Sequence, residues 1–324
     1  MSKVTVSILM ACFNAERWIG ATLRSILQQT YTDFEVVVVD DGSSDQSGKI
    51  VDEFQDPRIR LIREPSNQGA SAARNIAFAA SKGEFVLFVD ADDLIAPKHI
   101  ESLLSRLRNE PNCVALSQWT RFRCEPIEAI IPSRPTERDL DGVDWLALDW
   151  ESGEPMTQSG MLLIPHTLIE QHGGWDTRLS LIDDFEFFAR IISRSGGVRF
   201  APEACLFYRS GISGSLSNQR SRAAIVSQLN SLVMGTDHLL AVRDDRALRS
   251  ICAGLLQAFD YEHYPEHPDL RAQARARAKE LGGSTIEPAG PPGFQALRKF
   301  IGWKLARRVQ LFAESYRIRG KARL

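Results

Sequence analysis

Three aspartates lie within four positions at the end of an apolar run, in the stretch "FVLFVDADDLIAP" (residues 85–97). They are Asp90, Asp92 and Asp93, and carboxylates crowded in this way repel one another. One interpretation is a turn, where aspartate is common. The other is a divalent cation site, because Mg²⁺ and Mn²⁺ prefer carboxylate oxygens as ligands. From this stretch alone both interpretations remain open.

Three further segments carry residues that could bind or react. "VDDGSSD" (39–45) contains Asp41, "NQGASAARN" (67–75) contains Arg74, and "LIDDFEFFAR" (181–190) contains the adjacent Asp183 and Asp184. Each also has a structural interpretation, namely a turn, a capped surface helix, or acids placed favourably at a helix N-terminus. No one of these segments identifies a site by itself.

The pattern of apolar residues predicts the strands and helices on which these residues lie. The runs at 4–13, 34–40 and 84–90 are nearly continuous, as is typical of strands buried on both faces, and segments with helical spacing separate them. This alternation predicts a mostly parallel sheet with right-handed crossovers. Ligands of such sheets bind at the carboxyl ends of the strands, and "CFN", "DDGSSD" and "DADD" follow three of those ends. We therefore expect the polar groups to meet at one edge.

Later elements are predicted in the same way. The pattern favours a helix over 97–109, strands at 113–122 and 161–165, and an amphipathic helix that begins near 181 with its acids first. Asn14 is expected to cap the first helix. Beyond about residue 218 the chain is predicted to be mostly helical, which divides it into regions 1–217 and 218–324.

Composition excludes several classes of protein. Of 324 residues, 44% are hydrophobic and 25% charged, which is ordinary for a soluble globular protein, and the net charge of -2 gives no field that would attract nucleic acid. The five cysteines include no C-x-x-C pair and are interpreted as reduced core residues of a cytoplasmic protein. No apolar run approaches the roughly 20 residues that cross a bilayer, and the first run is read as a strand, not a signal peptide.

Taken together, the motifs resemble those of the family 2 glycosyltransferases. The matching segments occur in the family's order and cover about residues 4–215: "SILMACFN", "VDDGSSDQS", "NQGASAARN", "GEFVLFVDADD", "GGWDTRL" and "LIDDFEFFARI". The resemblance implies the A-type glycosyltransferase fold, an α/β fold with a mostly parallel Rossmann-like sheet, here followed by a helical C-terminal extension. It also implies a nucleotide-sugar half at about 1–110 and an acceptor half at about 111–217.

The same resemblance implies roles for individual residues on the donor side. A UDP-sugar is the expected donor, although Phe13 stands where the family usually has tyrosine, and Ala11 and Cys12 where it usually has threonine or serine, so the identity of the nucleotide stays open. The cofactor would be Mn²⁺ or Mg²⁺, held by Asp92, with Asp93 as its rival. The remaining nucleotide-binding candidates are the backbone of Ala11, the ring of Phe13, Asp41, Arg74 and Asp90.

On the acceptor side the resemblance implies a carboxylate base. Asp184 occupies the position of the base that would take a proton from the acceptor hydroxyl, and Asp183 precedes it in the acceptor site. Trp175 could stack on an acceptor sugar, or it could be a core residue. The segment "YRSGISGSLS" (208–217) resembles a loop that closes over the donor, with Arg209 as a phosphate contact.

The predicted function is inverting transfer of one sugar to a glycan or lipid-linked glycan, in the synthesis of a bacterial-type surface or secreted polysaccharide. Absence of the Q-x-x-R-W signature favours single transfers over processive synthesis. The alternative is a catalytically silent nucleotide-sugar-binding or scaffold protein. A dinucleotide-dependent oxidoreductase is excluded, because the first strand is followed by "CFNAERW" and no G-x-G-x-x-G turn.

The C-terminal segment 297–324 is dense in basic residues interleaved with aromatic and aliphatic ones. Such a helix can lie in the interface of an anionic membrane, which would make the protein peripheral on the inner face of the cytoplasmic membrane. It can equally pack on the catalytic domain, or on a second subunit of a homo-oligomer. The sequence leaves these interpretations open.

Overall fold

The computed structural model describes residues 4–124, 131–212 and 219–321, with side chains as far as Glu314. Positions 213–217 of the predicted donor-closing loop therefore lie outside the described residues. So do 322–324 of the basic C-terminal segment.

Eight strands of the described chain form one sheet, in the order β3-β2-β1-β4-β7-β6-β8-β5. Their bounds are β1 Val6–Cys12, β2 Phe34–Asp40, β3 Ile59–Arg63, β4 Phe85–Phe88, β5 Leu94–Ile95, β6 Val114–Phe122, β7 Leu162–Pro165 and β8 Val198–Arg209. The helices that accompany them are α1 Ile19–Leu27, α2 Ser47–Asp52, α3 Ala70–Ala80, α4 His99–Leu107, α5 Gly142–Trp150, α6 His166–His172, α7 Asp183–Ile192, α8 Arg222–Val242, α9 Arg246–Glu262, α10 Pro268–Glu280, α11 Pro292–Ile301 and α12 Trp303–Lys321.

The sheet is mostly parallel, as predicted. The pairs β1–β2, β1–β4, β2–β3 and β6–β8 are parallel. The pairs β4–β7, β6–β7 and β5–β8 are antiparallel, so only β5 and β7 run against the other described strands. Strands β1, β2 and β4 are almost entirely buried, which explains their continuous apolar runs. The mixed α/β architecture agrees with the predicted fold class.

The register brings the carboxyl ends of the three central strands together. Cys12 lies opposite Asp40 at the ends of β1 and β2, and Leu9 lies opposite Phe88 at the end of β4. The polar segments that follow each strand therefore lie at the same edge, as the alternation of elements predicted.

The first helix begins later than expected. Asn14 does not cap it, because α1 starts at Ile19 and Trp18 occupies the cap position. Asn14 instead has φ of 50°, and its Oδ1 accepts a hydrogen bond of 2.9 Å from the backbone N–H of Ser44. The asparagine thus joins the loop after β1 to the loop after β2, which fixes one side of the site.

The described chain divides into two compact units. The first contains residues 1–149 and 156–243, and the second contains 150–155 and 244–324. The first unit therefore includes α8, which follows the boundary predicted at residue 217. The second unit is made mainly of helices α9 to α12.

Candidate functional site

The turn that carries the three aspartates follows β4 directly. The backbone N–H of Asp93 donates to the carbonyl of Asp90 at 3.2 Å, which closes the turn. From the end of β8, the backbone N–H of Arg209 donates to Asp93 Oδ1 at 2.7 Å, and Arg209 Nε donates to the carbonyl of Asp92 at 2.7 Å. From α1, Thr22 Oγ1 donates to the carbonyl of Ala91 at 2.9 Å. Two elements distant in sequence therefore hold this turn.

Burial and neighbouring charges raise the pKa values of Asp92 and Asp93. Burial and the neighbouring Asp90 raise the pKa of Asp92 to about 6. Burial, Asp92 and Asp90 raise the pKa of Asp93 well above its ordinary value. Asp93 Oδ2 is buried and has no hydrogen-bond partner among the described residues. A cation next to these groups would relieve both the repulsion and the unmet acceptor.

Arg74 joins the aspartate turn to the start of α7. Its Nη2 donates to Asp90 Oδ1 at 2.9 Å, its Nη1 donates to Asp183 Oδ2 at 2.9 Å, and its guanidinium lies 4.2 Å from the ring centroid of Trp175. Burial disfavours the charged guanidinium, but Asp183 and Asp90 outweigh burial and hold the pKa of Arg74 above its ordinary value. The sequence left open whether Arg74 lies on a capped surface helix or contacts the nucleotide, whereas the structure buries it between two carboxylates.

Asp183 and Asp184 differ in how firmly they are held. Asp183 Oδ2 accepts from Arg74 and, at 2.7 Å, from Ser71 Oγ, and its Oδ1 accepts from the N–H of Asp184. The Asp184 carboxylate accepts from the N–H of Phe185 at 2.9 Å. Burial and the charge of Asp183 raise the pKa of Asp184 to about 7. Asp184 can therefore exist in either protonation state near neutral pH, as a group that exchanges protons requires.

The segment before α7 is fixed by serines of α8. Ser231 Oγ donates to the carbonyl of Ile182 at 2.6 Å and accepts from the N–H of Glu186 at 3.3 Å. Ser227 Oγ accepts from the N–H groups of Ser180 at 2.8 Å and Leu181 at 3.1 Å. Ile182 itself adopts the left-handed conformation, with φ 50° and ψ 38°, which is rare for a β-branched residue. These hydrogen bonds support that backbone and so orient the two aspartates that follow it.

A second support comes from Arg190, which sequence reasoning missed. Arg190 donates to the carbonyls of His172 at 2.8 Å, Gly173 at 2.6 Å and Gly174 at 2.8 Å, and it forms a bidentate pair with Glu186. Arg190 lies seven residues after Asp183, on the buried face of α7. Residues seven apart share a face of a helix, and this spacing is the feature of the sequence that could have indicated its role. Arg190 ties the turn of "GGWD" to the helix that carries Asp184.

Trp175, predicted as an acceptor contact or a core residue, lies in the core. It is 3% exposed and stacks on Phe187 with ring centroids 4.2 Å apart. Its backbone N–H and carbonyl exchange hydrogen bonds of 2.8 Å with the side chain of Asn75, and a Cβ on Gly174 would lie 2.4 Å from that side chain. Stacking on a sugar would require the ring to leave this position under Arg74.

Three of the predicted nucleotide-binding residues, Ala11, Phe13 and Asp41, lie along the ends of β1 and β2. Phe13 is 49% exposed, so a face of its ring is open to a planar ligand. Ala11 pairs with Val39 of β2. It lies beyond Leu9, which is the last residue of β1 that pairs with β4. Asp41 is buried, and its two oxygens accept from the N–H groups of Gln68 at 2.9 Å and Gly69 at 2.8 Å. Asp41 therefore also orients the start of the helix that carries Arg74.

Arg209 lies between two aromatic rings at the end of β8. Its guanidinium is 4.3 Å from the ring centroids of both Trp18 and Phe122. Together with its bonds to the aspartate turn, this stacking fixes the arginine beside the carboxylates. The sequence suggested a phosphate contact here, and that role stays a prediction.

The side chains of the described residues do not form a complete metal site by themselves. Within the described ranges, no cluster of three or more histidine, cysteine, aspartate or glutamate side chains has the geometry to hold a metal ion. The donor set still fits a hard cation, because Mg²⁺ is commonly held by one or two carboxylates plus substrate phosphates and water. The unpartnered Oδ2 of Asp93 and the crowding of Asp92 match such a partial site.

The raised pKa of Asp184 predicts a dependence of stability on pH. Its pKa is about 7 in the folded protein against 3.8 ordinarily, so between these values the folded chain keeps a proton that the unfolded chain has released. Stability must then fall as the pH rises through this window. We expect the stability of Asp184→Asn, relative to wild type, to increase from pH 4.5 to about 7 in urea unfolding and to level off above that pH.

Asp176→Asn is the matched control for that measurement. Hydrogen bonds from Arg178 lower the pKa of Asp176, so its contribution is already complete above about pH 4 and the relative stability of this variant should be flat over the same range. If the two variants gave the same flat profile, the carboxyl of Asp184 would not be perturbed as described.

Comparison with known proteins agrees with the fold and the motifs. The model of the family described as "Glycosyl transferase family 2" matches residues 7–166. A UDP-Glc:alpha-D-GlcNAc-diphosphoundecaprenol beta-1,3-glucosyltransferase of Escherichia coli is 40% identical over 107 residues, 33% of this chain and 42% of that protein. Glycosyltransferase GlyG of Streptococcus pneumoniae is 32% identical over 119 residues, 36% of this chain and 40% of its own.

The fold comparison extends further along the chain. The structure of residues 1–349 of S. aureus TarS in complex with UDP-GlcNAc superposes with a TM-score of 0.71 at 18% identity, covering 86% of this chain and 81% of that one. Because the sequence identity is low, this structural similarity supports the fold assignment only. Matches to curated relatives are shorter, and the chain spans 40%, 43% and 62% of the length of three of them.

Proposed function

Residues 7–166 belong to glycosyl transferase family 2, and from this premise we propose that the protein is an inverting glycosyltransferase. It moves one sugar from a nucleotide-sugar to a hydroxyl group of a glycan or lipid-linked glycan. The observation that carries the proposal is the Arg74 bridge, which links Asp90 after β4 to Asp183 at the start of α7. This bridge brings the donor-side carboxylates and the candidate base into one cluster.

Asp184 acts as the general base in this proposal. The acceptor oxygen attacks the anomeric carbon, the bond from that carbon to the diphosphate oxygen breaks, and the hydroxyl proton passes to the Asp184 carboxylate. A single displacement of this kind inverts the configuration of the anomeric carbon. The pKa of about 7 makes Asp184 a stronger base than an exposed aspartate, whereas Asp183 is already bound to Arg74 and Ser71.

The donor nucleotide lies along the ends of β1 and β2 in this proposal. The exposed ring of Phe13 stacks on the base, the backbone of Ala11 meets its edge, and the remaining acceptor capacity of Asp41 takes a base N–H. The E. coli relative is named for UDP-Glc, and the S. aureus neighbour was solved with UDP-GlcNAc. Both support UDP as the nucleotide. The name of the E. coli relative also supports a lipid-linked acceptor for a cell-envelope glycan.

A divalent cation would be held by Asp92 with Asp93, beside the donor diphosphate. When bound, Mg²⁺ or Mn²⁺ would neutralise the charge that develops on the leaving diphosphate. Asp90 is less suited to direct ligation, since Arg74 already occupies its Oδ1. The backbone and side chain of Arg209 keep Asp93 and the Asp92 carbonyl in place.

Binding of UDP should depend on this cation and on Asp92. With Mn²⁺ present, titration calorimetry of wild type with UDP should give binding that weakens sharply when EDTA is added. Asp92→Ala should resemble the EDTA condition, because the carboxylate that bridges protein and cation is lost. Asp176→Ala removes a carboxylate outside the aspartate turn and should bind like wild type.

Equal UDP affinity of wild type with Mn²⁺, wild type with EDTA and Asp92→Ala would remove the metal role. Metal-dependent UDP binding without hydrolysis of any UDP-sugar would favour the catalytically silent alternative. In either case, screening a panel of nucleotide-sugars by thermal shift would identify the nucleotide-sugar that binds.

A further inference from the structure

The exposed hydrophobic side chains of the described chain are concentrated in one place. Six of the eight large ones lie between Phe300 and Phe312, at the end of α11 and along α12, and Phe300 is 86% and Phe312 67% exposed. Single exposed apolar residues are normal, whereas a group of this kind marks an interaction surface. This group lies within the second compact unit.

Helix α12 has two distinct faces. Trp303 packs against the rings of Tyr261 and Tyr264 at 4.8 Å and 5.0 Å, and Ala306 is fully buried. Arg307 also turns inward, with its guanidinium 4.5 Å from the ring of Phe294 and a bond to the carbonyl of Ala289. These positions follow the spacing i, i+3, i+4 and define the packed face.

The opposite face is apolar and exposed. Leu305, Val309 and Phe312 are 54%, 50% and 67% exposed and recur at i, i+4 and i+7, so they form one stripe along the helix. Gly302, with φ of 76°, ends α11, and the helical phase restarts at Trp303.

The charges beside this stripe are all positive. Between residues 292 and 312 the chain has five basic residues and no acidic residue, although its net charge is -2. Arg298 pairs with Glu287 and Arg307 faces inward. The side chains that remain on the exposed side are Lys299, Lys304 and Arg308. On α12, Lys304 and Arg308 are four residues apart and lie along one side of the apolar stripe, where their alkyl stems can cover it.

We propose that this face of α11 and α12 binds the surface of an anionic membrane, with the apolar stripe entering the headgroup region and the cations facing lipid phosphates. A basic amphipathic helix with aromatic anchors has the composition that such binding needs. A second copy of the chain is the less favourable occupant, because a two-fold interface would bring the same cations face to face. Of the described helices, none combines the length and apolar character needed to cross a bilayer.

The test is co-sedimentation of the full chain with vesicles of phosphatidylcholine alone, or with about 30% phosphatidylglycerol added. Wild type should sediment with the anionic vesicles at low salt and remain mostly in the supernatant with neutral ones. Leu305→Gln/Val309→Gln/Phe312→Gln should stay in the supernatant with both. Glutamine keeps helix propensity, and unchanged helical circular dichroism would exclude unfolding.

A matched pair of variants tests how much the positive charges contribute to vesicle binding. Lys304→Gln/Arg308→Gln should partition roughly 30-fold more weakly onto anionic vesicles, at about fivefold for each cation removed. Lys49→Gln/Lys279→Gln removes two exposed lysines elsewhere and should bind like wild type.

Wild type that stays in the supernatant with anionic vesicles would overturn the proposal, as would equal sedimentation of the two charge variants. A dimer in sedimentation velocity that the glutamine triple variant abolishes, without vesicle binding by wild type, would identify a second copy as the occupant. Neither result depends on sugar transfer, so failure here and failure of the proposed function are distinguishable.

Discussion

Asp184→Asn is expected to reduce the rate of sugar transfer by roughly 10²–10⁴-fold, the usual contribution of a general base. Asparagine has nearly the same shape and can still accept from the N–H of Phe185, which now bonds Asp184 Oδ1, but it cannot take a proton. Affinity for the donor nucleotide should change little, because Phe13 and Asp41, the side chains proposed to contact the base, lie after β1 and β2. Single-turnover rates and calorimetry with UDP separate the two quantities.

Asp176→Asn serves as control for the same chemical change. Asp176 belongs to "GGWD" and is paired with Arg178, so its amide variant should keep wild-type turnover. If Asp184→Asn retained more than half of wild-type turnover, Asp184 would not be the base.

Removal of the charge of Arg74 is expected to cost about 3–5 kcal/mol of unfolding free energy, the usual effect of breaking a buried ion pair. Arg74→Met keeps most of the side-chain volume, so a cavity is not the cause of the loss. The carboxylates of Asp90 and Asp183 would then lie close together without a cation, at side-chain exposures of 34% and 12%. Urea unfolding followed by circular dichroism measures the change.

Arg58 offers a close match for Arg74 at the surface. It forms a bidentate pair with Asp56 at 3.0 Å and 2.8 Å and lies 4.6 Å from the ring of Phe34, but it is more exposed. Arg58→Met should therefore cost no more than about 1 kcal/mol. If the losses of unfolding free energy in Arg74→Met and Arg58→Met differed by less than about 1 kcal/mol, Arg74 would not be structurally required.

The sequence predicted the strands on the nucleotide side of the site because the apolar run that marks each strand lies within that strand. Continuous apolar runs mark β1, β2 and β4, and the polar residues follow directly after each strand. Parallel pairing then places those ends together without further information. Asp90, Asp41 and Phe13 could therefore be assigned to one edge from the chain alone.

Longer-range features were not predictable in the same way. Strand β8 contains Pro202, and the ladder that it forms with β6 shifts register between Ser117 and Gln118, so the sequence of β8 lacks a regular apolar alternation. Its end nevertheless delivers Arg209 to the aspartate turn. The contacts of Arg74 with Asp183, 109 positions apart, likewise depend on packing and not on any local pattern.

The serine contacts of α8 bear on how a smaller working version of this protein could be made. A fragment that stops at residue 217, where the motifs end, would lose Ser227 and Ser231 and with them the hydrogen bonds to Ser180, Leu181, Ile182 and Glu186. The backbone that aims Asp184 would then have to hold a left-handed isoleucine unaided. A fragment that ends at Arg243, where the first compact unit ends, keeps both serines, and it extends about 25 residues beyond the last of the motifs.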